Sequence, residues 1–421
     1  MKPAAGEWYI GIDAGSRWTQ ISCYHGNLTE PETRSTVAGT ELYRIPTAIC
    51  KRRISGKWCF GEEASRMAET GEGIYVDDLL NRALKKETIL LDKEYQAEDL
   101  LLVFFRKVLR IALPAKGVEA VTRCVFSIKE VTDELVALLK HMGRELGLTG
   151  QQLVVQDHRE SFYAYAVCQE PELWQYDVVL FSCSGEEIWM KHLVCNKKTR
   201  PEIAEVEEVC LGRLPEDVRE WDITFAHMVQ NAMSGRIVSS VYLIGSGFEG
   251  NWMKESLQVI CRGKRAFQGK NLYTKGACYA GMLEVHQEEA DTVYFCEYKI
   301  QEHIFLKVTR GDDTGFYPLL EAGCNRHQIE KKLRILLEGE GTLDLWMQKP
   351  GSREAKIESL ELPELLSSDM ERYRLSLSLY SGEEGKILLN IRDMGWGELL
   401  PGTGREWEYE IGECYEQSLV M

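Results

Sequence analysis

The sequence predicts an α/β protein followed by a separate β-rich domain. Through the first two-thirds of the chain, strand-like apolar runs alternate with helical patterns, which is typical of an α/β architecture with a mixed sheet. After about residue 286 a period-2 alternation dominates. The 421 residues also exceed what one core usually holds, roughly 250–300 residues. We therefore expect an α/β domain over residues 1–285 and a β-rich domain over 286–421, with the acidic stretch 284–292 as their linker.

The first domain reads as two similar halves. Its expected strands are WYIGIDA, TQISCYH, AVTRCVFSI, QLVVQD, DVVLFSC, EIWMKHLVC and SVYLIGSG. EDLLLVFFRKVLRIAL and TDELVALLKHMGRELG have the apolar spacing of helices, and HRESFYAYAV is a shorter helical candidate. IGIDAGSRWTQIS and LFSCSGEEIWMKHL are both strand–turn–strand units, which indicates a duplicated α/β fold with lobes at about 1–152 and 153–285. The charge runs KKETILLDKE and EIAEVEEV are expected to be solvated faces.

The second domain is predicted to be an antiparallel β structure. Its strand candidates are VYFCEYKI, HIFLKVTRG, GTLDLWMQK, YRLSLSLYSG, KILLNIRDMG and EWEYEIGEC. In RLSLSLY, the residues Leu375, Leu377 and Leu379 share one face, and Arg374, Ser376 and Ser378 share the other. This alternation is typical of a half-buried strand, so we expect the leucines to fill the core of the domain.

Composition narrows the function classes. A formal charge of −16 argues against non-specific nucleic-acid binding and against docking on anionic membranes. No apolar run approaches the ~20 residues of a membrane span, and no signal peptide is apparent, so we predict a cytoplasmic protein. The cysteines number thirteen, with no Cys-x-x-Cys pair, which fits a reducing compartment better than disulfides or zinc. Five of them lie in apolar strand-like runs and are expected to be buried as small hydrophobes: Cys23, Cys124, Cys183, Cys261 and Cys296.

Three glycine-containing turns follow strands in the first domain: GIDAGS (11–16), FSCSGEE (181–187) and YLIGSGFEG (242–250). Small residues in such turns let backbone N–H groups approach phosphate oxygens, and an Asp there serves a metal ion or the attacking water. The alternative is that they are plain tight turns. Gly276, in the helical pattern NLYTKGACYAGML, is expected to permit a close helix crossing in either case.

Taken in order, these motifs resemble the actin, sugar-kinase and heat-shock-chaperone superfamily, and the DnaK-type chaperones most closely. IGIDAGS is similar to the first phosphate motif of that family, and YRIPTAICKRRISGKWCFGEEA is similar to its "PS" strand followed by "GDAA". AVTRCVFSIKEVTDELVALLKHMGRELGL with QLVVQDHRESFYAYAV resembles its strand, long helix, strand and connecting helix. VYLIGSG resembles its adenosine motif, YTKGACYAG its second connecting helix, and the stretch from YPLLEAGC to WEYEI its peptide-holding sandwich.

The resemblance implies a duplicated actin-like fold of the ribonuclease-H-like kind, with a C-terminal antiparallel β-sandwich. It implies ATP or ADP with Mg²⁺ as cofactor and a protein or polypeptide as partner. Asp13 would hold Mg²⁺ through water, and Asp13 and Asp157 are the catalytic candidates. The nucleotide-binding candidates are Gly11, Asp13, Gly15, Ser16, Gly185, Gly245, Ser246 and Gly247.

Several positions depart from the family pattern. In the second phosphate turn, Ser182 replaces an Asp, and Ser184 and Glu186 replace glycines. Asp157 is shorter than the Glu of the family, and His158 replaces its Pro. The segment between Gly185 and Gly245 has room for one or two helices only, where the family inserts an adenine-clamping subdomain, and no helical lid is expected after the sandwich.

The expected function is therefore a divergent DnaK-like protein that binds adenine nucleotide weakly, with little or no hydrolysis, and contacts a protein through the β-domain. The alternative is a non-catalytic pseudo-ATPase adaptor with an empty cleft, which needs no cofactor. A sugar or small-acid kinase is less expected, because its base would have to be Asp157 or Asp222, neither in a kinase motif.

Two smaller expectations concern individual side chains. Arg17 contacts either phosphate or Glu186 across an empty cleft. QDHRESFYAY is expected to be a solvated turn with core aromatics Phe162 and Tyr165, rather than a catalytic His/Asp pair.

Overall fold

The computed structural model describes residues 2–37, 39–286, 292–310, 313–338, 341–366, 372–382, 386–397, 401–402 and 404–412. The chain divides into two compact units. The N-terminal unit comprises residues 1–195 and 205–290, and the C-terminal unit comprises 196–204 and 291–421. The sequence did not predict that residues 196–204 group with the C-terminal unit. Most of the expected linker 284–292 lies outside the described residues.

The N-terminal unit alternates strands and helices. Its strands are β1 (Trp8–Ala14), β2 (Trp18–His25), β3 (Glu32–Thr33), β4 (Ile45–Pro46), β5 (Ile49–Arg52), β6 (Trp58–Phe60), β7 (Gly73–Val76), β8 (Thr88–Leu90), β9 (Glu94–Gln96), β10 (Arg123–Ile128), β11 (Leu153–Asp157), β12 (Asp177–Ser184), β13 (Glu187–Asn196), β14 (Glu202–Arg213, begun in residues of the other unit), β15 (Val238–Ile244) and β16 (Arg265–Gly269). Its helices are α1 (Gly61–Glu69), α2 (Leu79–Leu84), α3 (Ala97–Ala112), α4 (Asp133–Glu145), α5 (His158–Val167), α6 (Trp221–Ala232), α7 (Glu255–Ile260) and α8 (Leu272–Val285).

Two large sheets of this unit repeat one arrangement. The first has the order β11-β10-β1-β2-β3, and the second contains the order β16-β15-β12-β13-β14. In each, an antiparallel hairpin (β1–β2 or β12–β13) is followed by two strands that add in parallel beside the first hairpin strand. The carboxyl ends of the parallel strands therefore lie at one edge of each sheet, next to the hairpin turn. In open α/β sheets this edge is where ligands bind.

Helix α8 packs unusually close to its neighbours. A Cβ on Gly276 would lie 1.9 Å from the backbone oxygen of Ser161 on α5, and a Cβ on Gly11 of β1 would lie 2.1 Å from the oxygen of Thr274 on α8. The Thr274 hydroxyl donates a hydrogen bond of 2.8 Å to the Gly11 oxygen. Glycine is required at both positions because any side chain there would overlap backbone atoms.

The C-terminal unit is built from antiparallel strands. They are β17 (Thr292–Phe295), β18 (His303–Arg310), β19 (Asp313–Leu320), β20 (Glu330–Glu338), β21 (Thr342–Gln348), β22 (Lys356–Glu361), β23 (Arg372–Ser381), β24 (Ile387–Asp393) and β25 (Glu406–Glu410), with a short helix α9 (Pro363–Leu366). Two four-stranded sheets, β19-β18-β21-β22 and β20-β23-β24-β25, share one hydrophobic core. The expected buried face of β23 is confirmed, since Leu375, Leu377 and Leu379 are 0%, 0% and 1% exposed.

The sequence expectations for individual segments were partly wrong. EIAEVEEV presents the expected solvated charges, since Glu205, Glu207 and Glu208 are exposed, but it is part of strand β14, with Ala204 and Val206 buried. Cys261 is exposed at the end of helix α7, whereas the other four cysteines expected to be buried are buried. QDHRE is not a solvated turn, because Asp157 ends β11 and His158 begins α5. Within the described residues, no helix is long and apolar enough to cross a membrane.

The close crossing of α5 and α8 yields a stability prediction. Gly276→Ala should lower the free energy of unfolding by about 3 kcal/mol, because the new methyl group overlaps backbone that cannot move independently. Gly269→Ala is the matched control, since nothing lies within 4 Å of its added Cβ. Denaturant unfolding of the full chain measures both. Equal effects of the two substitutions would contradict the close crossing.

Candidate functional site

The turn between β1 and β2 is held by two hydrogen bonds and also has hydrogen-bond donors without an acceptor. The Gly15 N–H donates to the Trp18 oxygen at 3.0 Å, and the Thr47 hydroxyl donates to the Gly15 oxygen at 2.7 Å. Among the described residues, the N–H groups of Ser16 and Arg17 have no backbone acceptor, and the exposed Arg17 guanidinium has no carboxylate partner. The turn thus presents unused hydrogen-bond donors and one uncompensated positive charge.

Asp13 is held by a histidine from another element. It is the last residue of β1 that pairs with β10, where its partner is Ser127. Its Oδ1 lies 2.8 Å from Nε2 of His158, the first residue of α5. Because a carboxylate only accepts, the imidazole N–H donates. The imidazole also stacks on the Tyr273 ring of α8, with centroids 3.9 Å apart and planes 8° from parallel. Both side chains of the pair are about one-fifth exposed, at 19% for His158 and 20% for Asp13.

The stack continues into the second sheet. Lys191 of β13 places its ammonium 5.7 Å from the Tyr273 ring centroid and 2.5 Å from Glu208 Oε1 of β14. Burial, and then the charges of nearby carboxylates beginning with Glu208, raise the pKa of the Tyr273 hydroxyl well above its usual range. That ring is therefore neutral at physiological pH. The contacts run from Asp13 through His158, Tyr273 and Lys191 to Glu208, and they join both large sheets.

Asp157 caps its own helix. Its Oδ1 accepts from the Glu160 N–H at 2.8 Å, and its Oδ2 accepts from Arg159 Nε at 2.6 Å. The side chain is 2% exposed. An N-capping carboxylate of this kind stabilises the helix end, so both oxygens of Asp157 have a structural role.

The second and third glycine turns pack on each other. A Cβ on Gly245 would lie 2.1 Å from the Cys183 oxygen, and one on Gly247 would lie 2.1 Å from Cys183 Sγ. Intramolecular packing thus accounts for both glycines, and Ser246 lies between them in a short 3-10 helix. Gly185 differs, because it has a φ of +69° and nothing within 4 Å of a Cβ. Its turn is open.

The predicted ion pair between Arg17 and Glu186 is wrong for the residues described here. The exposed Glu186 uses its backbone oxygen to accept from the Leu214 N–H, and its carboxylate pairs with no cation of the described chain. A different cation contacts the second hairpin. The ammonium of Lys129, which follows β10, lies 5.9 Å from the ring centroid of Trp189 on β13. Trp189 is the register partner of Ser182, so this contact brings the first edge next to the second hairpin.

The residues at the site do not fit Mg²⁺. Mg²⁺ requires oxygen ligands in octahedral geometry, usually including free carboxylates. Asp13 already accepts from His158, and Ser182 offers only a hydroxyl where a second carboxylate would be needed. Across the described ranges, no cluster of three or more His, Cys, Asp or Glu side chains is arranged to hold a metal ion.

Asp222, the other candidate base, has a structural role. Its carboxylate accepts from the backbone N–H groups of Lys254, Glu255 and Ser256 at 2.8–2.9 Å and from the Ser256 hydroxyl at 2.7 Å. Burial opposes ionisation, but these hydrogen bonds outweigh it and lower the pKa of Asp222. The carboxylate therefore joins α6 to the start of α7.

Sequence reasoning missed Lys191, Tyr273 and Lys129. The signal for Lys191 was present, since a lysine between Met190 and His192 interrupts an apolar strand pattern, and it is 4% exposed. A buried lysine is usually paired. Tyr273 and Lys129 had no such signal, because an aromatic residue in a helix and a lysine after a strand are common.

Comparison with known proteins gives two family matches. A profile described as "Family of unknown function (DUF5716) C-terminal" matches residues 30–297. A second, described as "Domain of unknown function (DUF8552)", matches residues 299–412. The first match begins after the β1–β2 hairpin and includes α5, α8 and the second large sheet. No curated protein sequence matches the chain.

The Asp222 contacts predict a pH-dependent stability. Asp222→Asn should lower the free energy of unfolding by about 1–2 kcal/mol at pH 7, as the loss of a capping carboxylate does. Because the folded pKa of Asp222 is lowered, this stabilisation is present above its unfolded pKa, about 3.9, and is lost as the pH falls through the folded value. Denaturant unfolding at several pH values tests this, with the exposed Glu216→Gln as control. A wild-type-to-variant difference that grew on acidification would contradict it.

Proposed function

The chain belongs to the DUF5716 family, and we propose that its N-terminal unit is an actin-like, DnaK-related module that binds adenine nucleotide weakly and hydrolyses it little or not at all. We propose further that the C-terminal unit contacts a polypeptide. The observation that carries the proposal is the β1–β2 turn, where the N–H groups of Ser16 and Arg17 have no backbone acceptor among the described residues, at the edge of the sheet where ligands of such folds bind.

The topology supports this choice of fold. A duplicated sheet, each copy with a hairpin and two parallel additions, is what the resemblance to DnaK-type chaperones implies. So is a pair of connecting helices that cross at a glycine, and α5 and α8 cross at Gly276.

Binding is supported by the first turn. Arg17 carries a positive charge with no carboxylate partner in the described chain, and the neighbouring N–H groups have no backbone acceptor. Phosphate oxygens are the acceptors that such donors and a guanidinium best match.

Loss of hydrolysis is supported by the carboxylates. Nucleotide hydrolysis of this kind needs a group to orient the attacking water and a metal ion to neutralise developing charge. Asp13 is bonded to His158 and Asp157 to Arg159 and the Glu160 N–H. Ser182 supplies no third carboxylate.

A non-catalytic adaptor with an empty cleft is the second candidate. It is supported by the packing of Cys183, which by itself requires glycine at positions 245 and 247. It is also supported by the chain of contacts through Asp13, His158, Tyr273, Lys191 and Glu208, which already joins the two sheets. The two candidates differ in one observable, which is whether adenine nucleotide stabilises the protein.

The polypeptide contact is supported by an apolar row on the C-terminal unit. Phe305 pairs in register with Pro318 on one side and with Trp346 on the other, and Trp346 pairs with Ile357. Ile357 is 48% exposed, and the nearby Phe316 is 53% exposed. The row therefore crosses all four strands of the sheet β19-β18-β21-β22 on its outer face.

Two polar features beside the row indicate the chemistry of its occupant. The Trp346 indole N–H is buried with no acceptor among the described residues. Exposed Lys307 lies 6.0 Å from the Trp346 ring and has no carboxylate partner in the described chain. We propose that the occupant is a peptide segment of a partner protein, with an acidic side chain next to an aromatic or aliphatic one.

Nucleotide binding is tested by thermal unfolding and calorimetry of the full chain. ADP at a hundredfold excess over its dissociation constant should stabilise the protein by about 2.7 kcal/mol. Phosphate release from ATP should not exceed that of the Asp13→Asn variant. An absence of any shift would favour the adaptor, whereas turnover abolished by Asp13→Asn would show that the site hydrolyses ATP.

Peptide recognition is tested by probing a peptide array with the full chain. Bound peptides should be enriched in Asp or Glu beside aromatic or aliphatic residues, and Ile357→Ser or Phe316→Ser should weaken binding about tenfold, since each removes an exposed apolar contact. Leu336→Ser is the matched control, because Leu336 is 59% exposed on strand β20 of the other sheet. Equal losses from all three variants, or self-association in place of peptide binding, would contradict the assignment.

A further inference from the structure

We infer that the β1–β2 turn binds phosphate groups without a divalent metal ion, because His158 is bonded to Asp13 and Arg17 supplies the positive charge. The inference rests on the proposed function, since it concerns the nucleotide expected there. The site residues do not fit Mg²⁺, so other groups must compensate the negative charges of the phosphates and of Asp13.

Asp13 is already bonded to a neighbouring side chain. His158 donates to its Oδ1 oxygen. The imidazole is fixed from two directions, because its backbone begins α5 and its ring stacks on the buried Tyr273. A metal ion or its hydration shell would compete with this ring for Asp13, and in the described ranges no cluster of three or more His, Cys, Asp or Glu side chains is arranged to hold a metal ion. The hydrogen bond therefore takes one acceptor position of Asp13 and places the His158 ring beside that oxygen, where the ring competes with a metal ion.

Two cations, Arg17 and Lys129, lie close to Asp13 in the sheet. Arg17 lies in the turn directly after β1, and Lys129 follows β10, which pairs in parallel with β1 so that Asp13 is opposite Ser127. Both cations are exposed. Arg17 has no carboxylate partner among the described residues, and the pKa of the nearby Glu187 carboxylate is lowered chiefly by hydrogen bonds to its side chain and further by the charge of Lys129. They lie at the same edge of the first sheet.

The side chains of Arg17 and Lys129 match phosphate groups in their hydrogen bonding and charge. A guanidinium presents paired N–H donors that match two phosphate oxygens, and an ammonium acts as a point charge. In a metal-dependent site the cation bridges phosphate oxygens and protein carboxylates. Here Asp13 is bonded to a neighbouring side chain instead, so the phosphates need contact only donors and cations.

The test is calorimetric titration of the full chain with ADP in excess MgCl₂ and in EDTA. We expect the affinity in EDTA to equal or exceed that in Mg²⁺, because the free nucleotide carries more negative charge for Arg17 and Lys129. Binding that falls tenfold or more in EDTA would overturn the inference and leave the proposed function standing. An absence of binding in both buffers would overturn the proposed function, and this inference with it.

Variants locate the effect. Arg17→Gln should weaken ADP binding about tenfold in both buffers, whereas Arg110→Gln, at an exposed arginine of α3, should not change it. His158→Ala releases the Asp13 charge, so binding in EDTA should weaken and a dependence on Mg²⁺ should appear.

Adding Asp13→Asn to His158→Ala should restore binding in EDTA, because no charge then needs compensation. Circular dichroism and the unfolding temperature show whether each variant is folded. If the double variant is folded and does not recover binding, His158 acts by shaping the cleft rather than by replacing a cation, and the inference is wrong.

Discussion

The site depends on how closely helix α8 approaches β1 and α5. Gly276 and Gly11 remove the side chains that would separate these elements, and the Thr274 hydroxyl fixes the distance by bonding the Gly11 oxygen. Tyr273, one residue earlier, is consequently held against the His158 ring. The hydrogen bond to Asp13 is thus set by helix packing, and its geometry does not require a ligand.

Charge compensation within the protein is the second constraint. Buried carboxylates and ammonium groups are costly to leave unpaired, and at this site each is paired locally. Asp13 is bonded to His158, Asp157 to Arg159, and Lys191 to Glu208. The carboxylates of Asp13 and Asp157 are therefore bonded to side chains of the protein itself, while the exposed Arg17 has no carboxylate partner in the described chain.

Local patterns in the sequence predicted the elements but not the contacts between them. Period-2 alternation identified β23 and its buried leucines, and helical spacing identified α3 and α4, because these patterns depend on neighbours along the chain. Strand β14 was missed because its charged residues hide the alternate burial of Ala204 and Val206. The contact between Asp13 and His158 joins residues 145 positions apart, and only the pairing of β1 with β10 and β10 with β11 brings them together.

The central claim is that His158 occupies the place of a metal ion beside Asp13. A crystal structure of the full chain with ADP and MnCl₂, with anomalous scattering data that locate manganese, tests it most directly. The account predicts that His158 Nε2 remains hydrogen-bonded to Asp13, with no manganese at that carboxylate and the ADP phosphates contacted by Arg17. A manganese ion within coordinating distance of Asp13, with the His158 ring displaced from Tyr273, would contradict it.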